Sequence, residues 1–344
     1  MKHRRNTFGR QPDGALGSDS GYDGDSWGSA RRDSALTLRA RAPRLSRQVT
    51  QQCIKRSKKG IHVEQIVRYR TTDTTAVGVY DGDVIRRLPG VTSMAQLLRL
   101  DRAQFRQLVA TATTEIEEGA QVLPPIDGLT EVWGGGVTYD RSRVARIEES
   151  ESADVYERVY RAERPELFFK SPGWRVRTNG DPIAIRRDSI LNVPEPELAL
   201  WVNAEGETLG FLVCNDMTSR SIEADNPLYL PQAKLYTDSC AISTGVVPFW
   251  AVESPDTLAI TMSIERGSTS VWDGATSTAD MARSFDELVR WLFADTDFPD
   301  GVILATGTGI VPELDFVVEP GDVVTIEIDQ VGRLSNTVAR RDAV

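Results

Sequence analysis

Histidine is almost missing from this 344-residue chain, which has only His3 and His62. Neither lies in a recognisable motif, so imidazole chemistry has little to build on. Cysteine is nearly as rare. Cys53, Cys214 and Cys240 offer neither a disulfide framework nor metal-type spacing, which points to a reducing cytoplasm. No apolar run approaches the roughly 20 residues that a membrane span needs. The opening MKHRRNTFGR is followed by polar residues rather than the apolar core of a signal peptide. Lysine shows the most informative shortage. Residues 1–60 hold 14 of the 40 basic side chains, and the 26 that follow comprise 24 Arg and only Lys170 and Lys234.

A chain that otherwise uses arginine has kept an ammonium at two positions. Unlike guanidinium, an ammonium can lose its proton when desolvated and act as a base or nucleophile. The charge is also unevenly spread. The net −10 divides into +9 over residues 1–60 and −19 over the remainder. The acidic, lysine-poor body argues against nucleic acid as a partner and has the composition expected of a protein adapted to high intracellular salt, where self-repulsion is screened.

The first 60 residues are rich in Arg, Ser and Gly and lack a hydrophobic period, as expected of a disordered basic extension. A basic arm for RNA or a membrane surface is the sharper alternative. Residues 61–125 read as a small α+β N-terminal domain. Its strand-like runs VEQIVRYR and TAVGVYDGDVIRRLPG carry an Asp81-Gly82 turn signal, and one helical stretch follows in SMAQLLRLDRAQFRQLVATA. Residues 126–344 read as the catalytic domain. Charged, helix-compatible sequence over 140–163 suggests an exposed lid. Strands dominate beyond residue 180, interrupted by a helix at SFDELVRWLFAD with capping-box residues Ser284 and Glu287 and the stripe Phe285, Leu288 and Leu292. The fold class expected is therefore α+β and rich in β-structure.

Within the β-rich part, Glu195 and Glu197 are two apart in a strand-like run and so share one face with Ala199 and Trp201. Leu198, Leu200 and Val202 face the other way. Flanking Pro194 and Pro196 suit an edge or strand-start position. Asp216 closes the apolar run FLVCND, where strand ends present functional groups. Three carboxylates brought together would suit a hard divalent cation, although an acidic strand face often means only solvent exposure. The run Gly134-Gly135-Gly136 can be read as a phosphate cradle, but no helix with a ribose-binding acid follows at the required distance.

The run EPELAL…NDMTSRSIEADNPLYLPQAKLYTDSCAIS, with the later LATGTGIVP and GDVVTIEIDQVGRLSNTV, resembles the signature of the fumarylacetoacetate hydrolase family. The resemblance covers about residues 128–344. It implies a mixed β-roll catalytic domain, usually homodimeric, that binds Mg²⁺ (or Mn²⁺) through Glu195, Glu197 and Asp216, with Lys234 at the substrate. Thr308 matches a carboxylate-binding threonine, although Gly309 stands where the family usually has proline. Family members that hydrolyse C–C bonds typically activate water with a histidine, and none falls in a matching position here.

The block WGGGVTYDRSRVARIEES…YRAERPELFFKSP resembles the branch that dehydrates 2-keto-3-deoxy-pentonates to α-ketoglutarate semialdehyde. On that reading the metal polarises the keto acid, Lys234 serves as base, and Glu148, Glu149 or Glu166 supplies the second proton-transfer group. Lys170, Tyr139 and Arg143 are candidates for binding substrate oxygens. The rival within enzymes is hydrolysis or decarboxylation of an acylpyruvate. A metal-stabilised, non-enzymatic binding module is the third reading.

Overall fold

The computed structural model describes residues 63–72, 74–113, 120–149 and 153–340, with side chains left out at 145–149, 153–154 and 156. The basic extension and His62 lie outside these residues.

The N-terminal segment supplies β1 (Gln65–Arg70), β2 (Thr75–Tyr80), β3 (Ile85–Arg87) and β4 (Gln121–Leu123). Tyr80 pairs with Ile85 across the expected turn, and Gly82 takes a φ of 104° there, a conformation that needs glycine. The single helical stretch expected after it is two helices, Met94–Leu97 and Arg102–Val109. Ser93 caps the first. Asp101, which accepts from the Gln104 amide, restarts the second with its own capping box. An aspartate three residues before glutamine is a start signal even inside an apolar period.

The remaining strands are β5 (Glu131–Gly136), β6 (Glu166–Pro172), β7 (Ile183–Ile185), β8 (Asn192–Val193), β9 (Pro196–Val202), β10 (Thr208–Asp216), β11 (Thr218–Ser219), β12 (Cys240–Ile242), β13 (Gly245–Pro248), β14 (Ala259–Arg266), β15 (Thr269–Ser277), β16 (Val302–Ala305), β17 (Val323–Ile328) and β18 (Gly332–Arg340). A large sheet runs β3-β2-β1-β13-β10-β9-β16-β5-β6, with β4 and β12 pairing to its side. A five-stranded sheet runs β15-β14-β17-β18-β7. Both are mixed: β16–β5 and β18–β7 are parallel and the other pairings antiparallel. The N-terminal segment and the rest share the large sheet, because β1 pairs with β13.

β9 is an interior strand buried along its whole length, so Pro196 marks a strand start and not an edge. The expected alternation holds. Leu198, Leu200 and Val202 join a core filled by Ile260, Met262, Ile326 and the Phe285–Leu292 helix, while Ala199 and Trp201 join a second core with Leu97, Phe105 and Ile66. Burial on both faces of a central strand explains why ELALWV is almost continuously apolar. In the Phe285–Leu292 helix, Ser284 caps as expected, accepting from the Glu287 amide. The Glu287 carboxylate pairs instead with Arg283 at 2.6 Å.

Two helices, Asp140–Glu149 and Ala153–Arg161, occupy the stretch expected as a lid, between β5 and β6. Arg283 donates to the carbonyls of Val159 and Ala162 at 3.0 and 2.6 Å. A guanidinium on the last carbonyls of a helix satisfies acceptors that the helix itself leaves open. It ties the lid to the body.

Candidate active site

The β9–β10 ladder builds the site. Glu195 and Asp216 exchange backbone hydrogen bonds (3.2 and 2.9 Å), and Glu197 lies opposite Cys214. Directly paired residues project from the same face of an antiparallel pair, so all three carboxylates converge. One ligand oxygen from each of Glu195, Glu197 and Asp216 lies within 4.8 Å of the others, and all three residues are buried. Burial, followed by the neighbouring Asp216, pushes the Glu197 carboxyl well above its ordinary range, with Glu195 adding to the effect. Lys234 and the Gly307 amide act the other way. Buried carboxylates gathered in this way fit a hard cation, which would offset the charge that burial penalises.

Both rare lysines converge on Asp216. The Lys234 ammonium contacts Glu195 and donates to Asp216 Oδ2 at 2.8 Å and Thr218 Oγ1 at 2.7 Å. An amine held by two carboxylates and a hydroxyl sits as a counter-charge beside the triad. Lys170 is fully buried and ion-paired to Asp216 Oδ1. It also donates to the carbonyls of Met217 (2.9 Å) and Lys234 (2.7 Å). With two donors on backbone carbonyls and its charge paired to Asp216, the buried ammonium is directed at protein, unlike the substrate contact expected of Lys170.

Glu195 and Glu197 border a space of about 20 Å³, lined also by Gly136, Ser142, Glu166, Phe168, Glu223, Lys234 and Thr308 among others. It adjoins a cavity of about 280 Å³ through the shared wall residues Glu166, Glu223 and Leu230, with Val155, Val159, Arg164 and Pro227 farther out. Glu166 therefore lines both spaces. The glycine run beside it is strand β5 and no phosphate cradle. Gly136 pairs with Glu166 and Gly134 with Phe168. A Cβ at 136 would lie 2.1 Å from Glu166 Oε2, and one at 134 would lie 2.5 Å from the Phe168 ring. The glycines make room for those two side chains.

Thr308 lines the smaller space, its hydroxyl hydrogen-bonded to the Ile310 backbone. Gly307 donates its N–H to Glu197 Oε2 at 2.7 Å. Its φ is 92°, and a Cβ there would meet Thr138 Oγ1 at 2.0 Å. Tyr139 is buried, and burial, with the Glu197 and Asp280 carboxylates, pushes its phenol above the ordinary range. Its ring also accounts for Gly309: a Cβ at 309 would lie 2.6 Å from Tyr139 Cδ1. Tyr139 packs beside the triad and does not line the smaller space.

Arg143 is corrected as a substrate contact. It bonds Asp140 at 2.9 Å and Glu157 at 2.6 Å and lies over the Tyr160 ring, joining the two lid helices. Glu148 and Glu149 end the first lid helix, and their side chains lie outside the description. Glu223, on the helix Arg220–Asp225, was missed from sequence. It is buried and lines both spaces. Its one signal was its place in the run SRSIEADN.

Residues 137–339 match the family described as "Fumarylacetoacetate (FAA) hydrolase C-terminal". The chain belongs to the fumarylacetoacetate hydrolase family. Over 274 residues it is 41% identical to a Haloferax volcanii protein named probable 2-keto-3-deoxyxylonate dehydratase, covering 77% of this chain and 93% of that one. It is 35% identical over 281 residues to a 2-dehydro-3-deoxy-D-arabinonate dehydratase of Saccharolobus solfataricus, covering 80% and 93%. A solved structure of 2-keto-3-deoxy-D-arabinonate dehydratase complexed with magnesium and 2,5-dioxopentanoate superposes with a TM-score of 0.71 at 31% identity, covering 81% of this chain and all of that one.

Proposed function

We propose that the protein is a lyase that dehydrates a 2-keto-3-deoxy-pentonate, of the arabinonate or xylonate series, to 2,5-dioxopentanoate. Mg²⁺, or Mn²⁺ in its place, is held by Glu195, Glu197 and Asp216. The observation that carries this reading is the buried carboxylate triad, two of whose members, Glu195 and Glu197, line one small space with Lys234 and Glu166, in a chain whose similar relatives bear dehydratase names.

A bound divalent cation supplies a Lewis acid that draws electrons from the keto acid and acidifies its C3 hydrogens. Glu166, facing the space from β6, takes a C3 proton. The electron pair forms the C3–C4 double bond as the C4–O bond breaks. Lys234 gives its proton to the departing hydroxyl, and water leaves. The product at that point is an unsaturated keto acid that is still an alcohol at C5. To become an aldehyde it loses one proton from C5 and one from the C5 hydroxyl, and gains one each at C3 and C4. No oxidant is consumed. Glu223, on the wall shared by the inner space and the outer cavity, is placed to move protons at this far end. The lid helices exclude water, which suits an elimination.

The acylpyruvate reading is disfavoured because no described residue is a histidine, leaving hydrolysis without its usual water activator. Incubating the protein with Mg²⁺ and the epimeric 2-keto-3-deoxy-pentonates, beside one acylpyruvate, tests the function. 2,5-Dioxopentanoate should form from a pentonate. Turnover of the acylpyruvate alone would reverse the assignment. Full activity in EDTA would remove the metal.

Among the described residues no helix is long and apolar enough to cross a membrane. A cytoplasmic setting, a second copy of the chain as partner and salt adaptation of the acidic body complete the proposal. Light scattering checks the assembly, and a melting temperature that fails to rise in molar KCl would refute the adaptation.

A further inference from the structure

Lys170 uses an unusual piece of backbone. Along β5–β6, Val132 pairs with Ser171 but Trp133 pairs with Phe169. Lys170 is therefore the extra residue of a β-bulge, the device by which a strand re-aims one side chain out of its normal alternation. The re-aimed ammonium is fully buried and reaches acceptors from two separate segments, Asp216–Met217 at the end of β10 and the Lys234 carbonyl. The same carbonyl also accepts from Ser239 Oγ at 2.9 Å. Lys234 in turn binds the other oxygen of Asp216. Each oxygen of one triad carboxylate is thus held by a different lysine, and one lysine holds the main chain of the other.

We propose that Lys170 is a positioning residue that locks Asp216 and the Lys234 backbone into one unit, and thereby sets the cation affinity of the triad without touching substrate. The proposal rests on the metal reading above. Partners that orient metal-binding carboxylates typically change metal affinity by roughly 10–100-fold when removed. A side chain that bound substrate oxygens would instead raise KM and leave metal affinity alone.

The test is Mn²⁺ titration followed by calorimetry, with KM and kcat measured at saturating metal, on the wild type, Lys170→Met and Lys170→Arg. Lys170→Met should weaken Mn²⁺ binding about 10–100-fold and lower kcat while KM stays within about twofold of wild type. Lys170→Arg keeps the charge and not the three-point geometry, so it should lose nearly as much. Unchanged Mn²⁺ affinity with a raised KM, or full rescue by arginine, would overturn the proposal. Wild type that binds no Mn²⁺ would sink the metal reading with it, whereas wild-type binding matched by Lys170→Met sinks this proposal alone.

Should Lys170→Met fail to fold, amidination of the wild type with methyl acetimidate and peptide mapping, with and without pyruvate as a keto-acid probe, decides the matter. Lys170 should stay unmodified in both cases. Amidination that pyruvate blocks would place Lys170 on the ligand and refute the idea.

Discussion

The floor of the site and its outer wall are built on opposite principles. The floor is two adjacent strands in the interior of a sheet, where ladder register brings Glu195, Glu197 and Asp216 together and two buried lysines pair with Asp216. The wall is two short helices joined by partly exposed ion pairs, with Glu166 and Glu223 where the two spaces meet. A rigid, desolvated floor gives fixed geometry to whatever it binds. A wall held by screened contacts tolerates change and can move. On the proposed reading, cation binding belongs to the sheet, and the handling of the substrate's far end belongs to the wall.

Breaking the floor should have the largest effect. Glu197→Gln is expected to abolish Mn²⁺ binding and to lower kcat/KM by more than about 10³-fold, from the loss of a charged ligand. Melting curves sharpen this. Burial raises the Glu197 carboxyl pKa above its unfolded value, so the contribution of the group is favourable below the ordinary carboxylate range and is lost as pH rises through the raised value. In EDTA at neutral pH, Glu197→Gln should therefore melt above the wild type, and with excess Mg²⁺ below it.

At the junction of floor and wall, Glu166→Gln should cost roughly 10²–10⁴-fold in kcat, the usual worth of a positioned acid–base group, with Mn²⁺ affinity nearly unchanged. Glu223→Gln should be milder in substrate consumption but different in outcome. The C5 alcohol of the unsaturated intermediate should accumulate, seen by its ultraviolet absorbance and by mass spectrometry, while aldehyde formation lags. An unchanged ratio of aldehyde to substrate consumed would remove Glu223 from the chemistry. Smallest of all, Arg143→Ala loosens an ion pair between the lid helices and should shift kcat/KM by no more than about fivefold, read from initial rates.

How legible these features were depended on their range in sequence. The triad and its face were readable because two residues of separation on a strand fix a side, and the apolar run into Asp216 marks a strand end. Lys170 and Lys234 stood out by rarity, but their partners did not. A β-bulge depends on the register against β5, which no local pattern records, so Lys170 was assigned to substrate when it faces Asp216. Arg143 was misread for a related reason: its partner Glu157 lies on the next helix. The glycine run looked like a ligand cradle because the side chains it accommodates, Glu166 and Phe168, arrive thirty residues later along β6. Asp101 splits one helix into two through a cap that was legible and overlooked.

Gly307 gives the molecule its narrowest tolerance. The turn that offers its N–H to Glu197 is pressed against Thr138, immediately ahead of the first lid helix, so the root of the wall and the grip on the floor share one point of contact. Saturation mutagenesis should find position 307 closed even to alanine, while the outer helices accept substitutions freely. Any re-engineering of this enzyme toward longer or shorter acids therefore has its natural starting point beyond residue 140 and its boundary at this glycine.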